Sequence, residues 1–80
     1  MTSHFDFHYS RYKEAGAKMA QPLEARDFKR WDSIREAARC AIALDAGIID
    51  VIPHDGRLQG AALSLFMLLI RRYEVMECAA

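Results

Sequence analysis

Residues 58–76, LQGAALSLFMLLIRRYEVM, limit what this chain can become more than any other stretch does. Read at helical period, Leu58, Ala62, Leu65, Leu69, Tyr73 and Met76 form one apolar stripe. A second stripe, Leu63, Phe66 or Met67, and Ile70, lies beside it, so the middle of such a helix is apolar around most of its circumference. A helix of that kind belongs at the centre of a fold, with neighbours on both sides. The chain has 80 residues, a size at which only about 60% of the unfolded surface is buried on folding. Leaving one Leu or Ile side chain of the central helix in water would forfeit about 1.5–3 kcal/mol, a large share of a small domain's stability. Association relieves that cost. A homodimer is therefore expected, with Leu63, Met67, Ile70 and Tyr73 facing a second copy or another protein.

Two more helices are expected upstream. From Phe5 the positions Phe5, Tyr9, Tyr12, Gly16 and Met19 are spaced four, three, four and three, with Ser3 as the cap and Asp6 completing a weakened capping box. Glu14 and Lys18 add a pair one turn apart. The same opening, HFDFHYS, also alternates with period two, which leaves a strand open. Pro22 suits the first position of a second helix. Its stripe is Trp31, Ile34, Ala38, Ala41 and Ile42, its outer face carries the neighbour pairs Asp32–Arg35 and Glu36–Arg39, and Gly47 ends it. The fold class is thus all-α: one helical domain over 1–80, with helices at about 4–20, 22–46 and 57–78, an apolar connector at 48–56 and the third helix central. Asp55 is placed to cap that third helix. The alternative is an α+β domain with short strands at 4–9 and 48–52.

Composition excludes more than it assigns. Eleven acidic residues balance eleven basic ones, which removes the long-range positive field on which non-specific nucleic-acid binding depends. The apolar run GAALSLFMLLI is about half of the roughly 20 residues that cross a bilayer. The start, MTSHFDFHYS, has no basic region followed by an apolar run, so a soluble protein without a signal peptide is expected. Two scattered cysteines, Cys40 and Cys78, make no disulfide framework and suit a reducing cytoplasm.

Particular residues suggest three chemistries. His4, Asp6 and His8 would share one face of a strand, as two histidines and a carboxylate that hold iron do. On a helix Asp6 leaves that face, and the set sits at a fraying end, so no metal and no cofactor is expected. FHYSRYK interleaves rings with bases, the composition of a stacking platform, but the second helix matches five basic residues with five acidic ones and offers no cationic track. Asp50, His54 and Asp55 could orient a general base, yet no nucleophile motif or phosphate loop accompanies them, and no catalytic residue is assigned.

What remains is an interaction protein: a non-enzymatic regulator or inhibitor that occupies a partner protein's surface. Tyr9, Tyr12, Arg30, Trp31 and Arg72 are its candidate anchors, since Tyr, Trp and Arg dominate interface energetics. Small single-domain inhibitors of phages and other mobile elements, anti-CRISPR proteins among them, share this profile as a class, with no motif to carry the likeness. A small DNA-binding regulator and a small metal-binding protein are the alternatives.

Overall fold

A computed structural model describes the backbone of residues 4–79 and the side chains through residue 77. Ser3 and the side chain of Cys78 lie outside the described residues. Three helices follow one another: α1 (His4–Met19), α2 (Ala25–Asp45) and α3 (Gly60–Ala79). The all-α expectation holds. Residues 4–9 are helical, residues 48–52 are irregular, and no strand occurs among the described residues. The period-two alternation of HFDFHYS loses because Tyr12 and Ala15 continue only the helical face.

Both later helices start three residues after their expected positions, for different reasons. Glu24 keeps an extended backbone (ψ 152°), and its carbonyl accepts the first helical bond from the Phe28 N–H (2.9 Å), so Pro22 stays in the link. Asp55 does not cap α3. It holds a turn ahead of it, accepting the Arg57 backbone N–H (3.0 Å) and the Gln59 side-chain amide (2.9 Å). The end of α2 is as expected. Gly47 takes φ +78°, the Ile48 N–H reaches back to the Ala43 carbonyl (2.8 Å) and the Gly47 N–H to that of Leu44 (3.2 Å). This reversal satisfies carbonyls the helix leaves open and turns Ile48 into the core.

The core comprises Ile42, Ala43, Leu58, Phe66 and Ile70, ringed by Phe5, Tyr9, Tyr12 and Ile48. Phe66 is wholly buried and meets the Tyr12 ring edge-on at 5.3 Å. α1 and α2 pair closely along their lengths through small residues such as Ala15 and Ala38, whereas α3 meets α1 only through long side chains. The centre is therefore α2 and not α3 as expected. A short link forces α1 and α2 to be each other's neighbours, which leaves cover for only one side of the third helix.

Two glycines give opposite expected outcomes in thermal unfolding. A Cβ at Gly16, inside α1, would meet nothing within 4 Å, whereas the neighbouring Ala15 is wholly buried. Gly16→Ala should stabilise by about 1 kcal/mol through helix propensity. Gly47→Ala, with equal space but a left-handed backbone, should cost about 1–2 kcal/mol.

Candidate interaction surface

Because one face of α3 is turned inward, the rest of its apolar circumference faces out. Leu65 is 51% exposed, Leu68 55%, Met67 46% and Met76 70%. Single exposed apolar residues need no explanation, but a contiguous strip on one helix does. α3 stands proud of its neighbours, with a groove along each flank and Leu68 lining both. The first groove, about 660 Å³, runs between α3 and the end of α2, and Phe5, Ala46, Ile48, Leu65, Arg72 and Met76 line it. The second, about 710 Å³, is lined by Leu63, Ser64, Met67, Ile70, Arg71 and Glu74.

The expected interface residues divide between these grooves. Leu63, Met67 and Ile70 fall together in the second, and Tyr73 borders the first. Ile70 is only 4% exposed: it is a core residue at the groove's floor, so its surface is spent inside the subunit. Leu65, Leu68 and Met76, read in the sequence as core stripe or not singled out, are the residues that project.

The anchors fare unevenly. Tyr9 stacks on Phe5 and lies 4.7 Å from the Tyr73 ring, with its hydroxyl donating to Glu74 Oε2 (2.9 Å). Tyr12 meets Phe66 edge-on, and the Arg39 guanidinium lies 5.7 Å from the Tyr12 ring and 5.9 Å from that of Phe66. Both tyrosines are committed to holding α3 against α1. Trp31 is half-buried, with the Lys18 ammonium 6.0 Å from its ring centre, and the expected Glu14–Lys18 pair does not form. Arg30 and Arg72 are exposed. Arg71 and Arg72 form no ion pair among the described residues: Glu74, one turn from Arg71, is held by Lys13 (3.0 Å) and Tyr9, and neither Glu74 nor Glu77, which accepts from the Tyr73 hydroxyl (3.2 Å), stands one turn from Arg72 on the helix.

The same aromatic latch shapes two pKa values. Desolvation, then hydrogen bonding to carboxylates, pushes the Tyr9 and Tyr73 phenols up to about 12. Their folded-state values exceed the unfolded one, so the stability they contribute is complete below the ordinary phenol value near 10 and is lost as pH rises toward 12. Absorbance titration should find two late-titrating phenols, one removed by Tyr9→Phe and one by Tyr73→Phe.

Elsewhere polar groups tie elements of the fold together. Arg57 reaches from the connector to Asp32 (2.6 Å) and Glu36 (3.6 Å), one turn apart on α2, while Arg35 and Arg39 close the expected pairs at 3.2 and 2.8 Å. The Arg57 hydrogen bond holds the Asp32 carboxyl below its usual range. Cys40 is buried with its thiol toward the Gly56 carbonyl (3.5 Å), and burial pushes its pKa up, which disfavours the thiolate. His54 is exposed on the turn that Asp55 braces. No three His, Cys, Asp or Glu side chains among the described residues are placed to share a metal, and no helix there is long and apolar enough to cross a membrane.

Comparison with protein-family models, curated proteins and solved structures finds no significant match.

Proposed function

We propose that this chain is a non-enzymatic protein-interaction module, a regulator or inhibitor that works by occupying a partner protein's surface, and that it does so as a homodimer. The outward apolar strip of α3 carries this reading, since hydrophobic side chains of a small domain do not line up in water without a cost that a bound partner removes. Two grooves sharing one ridge suit two occupants. The flank of Leu63 and Met67, with Arg71 and Glu74 as polar rim, suits the blocked partner, because an apolar floor inside a charged border is the build of a specific contact. The buried free thiol of Cys40 is in keeping with a reducing, cytoplasmic setting.

The test begins with proteins retained by the chain in extract of its source cell, identified by mass spectrometry. Each is then purified and assayed alone and with the chain. Stoichiometric loss of one protein's activity supports the proposal. Chemical turnover of any captured molecule by the chain, or capture without effect on any activity, contradicts it.

A further inference from the structure

We infer that the groove between α1 and the first half of α2 binds a single strand of nucleic acid, with one base stacked on Phe7 and the phosphates held by Arg11, Lys29, Arg30 and Arg26. The site lies away from the outer face of α3, so it stands or falls apart from the proposed blockade of a protein.

The fold separates charges that the composition balances. Within α2, Asp32 and Glu36 are taken by Arg35, Arg39 and, from the connector, Arg57. Asp45 ends the helix, about 28 Å along the axis from Arg26. Arg26, Lys29 and Arg30 are left exposed, with no ion pair among the described residues. The equal tally of acids and bases in this helix therefore conceals a basic half.

Those three bases extend the wall of a groove. Phe7, His8 and Arg11 of α1 face Ser33, Ile34 and Ala37 of α2 across a space of about 410 Å³, and no carboxylate lines it. Lys29 and Arg30 stand one turn before Ser33 and Ile34, and Arg26 one turn before Arg30, so all three lie on the helix face that forms this wall. Across the groove Arg11 is exposed and has no ion pair among the described residues. Glu14 is one turn from Arg11 and Asp27 one turn from Arg30, yet neither pair closes. With Glu24 these are the carboxylates of the flank, against Arg11, Lys18, Arg26, Lys29 and Arg30, so positive charge prevails there.

Phe7 selects a strand over other polyanions. Its ring is 61% exposed, one turn from Arg11, with the His8 ring edge-on at 5.2 Å. Leaving such a ring in water is costly, and a stacked base relieves the cost. Phe7 and Arg11 are about 6 Å apart along α1, as are Arg26 and Arg30 along α2. A few nucleotides therefore span the site. A duplex, whose bases are already stacked on one another, has none to offer the ring.

The anisotropy of fluorescein-labelled oligodeoxythymidine, titrated with the full chain, tests the site. Binding at about 20 mM salt should weaken as salt rises, with a log–log slope of about −2 for three phosphates. Lys29→Glu with Arg30→Glu should weaken it by about tenfold or more and flatten the slope. Phe7→Ala should weaken it by about fivefold to a hundredfold and leave the slope unchanged. Val51→Glu with His54→Glu, which adds negative charge on the connector, should stay within about twofold of the wild type at about 0.1 M salt, where distant charges are screened. All these positions are exposed, so each variant should keep the wild-type melting curve.

No binding at low salt overturns the proposal, and so does an equal loss in the two charge variants. Unchanged affinity in Phe7→Ala, or displacement of the strand by polyglutamate or duplex DNA as readily as by unlabelled oligodeoxythymidine, also overturns it.

Discussion

Phe66→Ala should leave the chain largely unfolded at 37 °C. Phe66 is completely buried where α1, α2 and α3 meet, against the Tyr12 ring and near the Arg39 guanidinium. Removing a ring from such a site costs about 3–5 kcal/mol, the lost transfer energy plus the cavity left behind. A domain of this length has about 4–12 kcal/mol in total. α3 suffers most, because it lacks the close backbone pairing that joins α1 to α2 and is held by side chains, with Phe66 and Ile70 its buried anchors. Circular dichroism on heating should show the loss. Leu68→Ala, two residues away but more than half exposed, should melt within about 0.5 kcal/mol of the wild type.

Leu68→Asp should have the largest effect on association and almost none on folding. Leu68 is the side chain common to both grooves, so a carboxylate there faces an apolar surface on either side. Burying it without a partner costs several kcal/mol, which is at least about a hundredfold in affinity. Self-association and blockade of the partner protein should fail together, while the exposed position keeps the monomer's melting temperature near that of the wild type. Sedimentation velocity and the inhibition assay, run on the variant beside the wild type, check this pattern. Retained dimerisation in Leu68→Asp would mean that α3 is not the contact.

Helix number and class were legible from Phe5–Tyr9–Tyr12, from the Ile42 stripe and from the apolar length of residues 58–76, because periodicity survives whatever the tertiary arrangement is. The end of α2 was legible too, since Gly47 is where a left-handed backbone comes without strain. The arrangement was not. An apolar circumference says that a helix wants cover, without saying whether its own chain provides it. The short link between α1 and α2 decides the matter, by making those helices partners and leaving α3 on one side.

The surface was half legible for the same reason. Met67 and Leu63 were found because they flank the inward stripe, while Ile70 was assigned outward though it lies one turn from Phe66 and shares its burial. Leu65 and Met76 were assigned inward by a spacing that fits two faces equally well. The partners of Glu74 and Glu77 had no signal in the sequence, where Arg71 stands one turn before Glu74. Only the fold shows that Lys13, Tyr9 and Tyr73 reach those carboxylates first.

Hydroxyl-radical footprinting of the intact chain, read by mass spectrometry across dilution, tests most directly whether the outer face of α3 is a covered surface. Phe7, 61% exposed in the groove between α1 and α2, is the internal reference. The expected result is that Leu65, Leu68 and Met76 lose reactivity together as concentration rises, while Phe7 keeps its own. If the three α3 residues stay as reactive as Phe7 at every concentration and with the captured partner present, nothing covers that face and the reading is wrong.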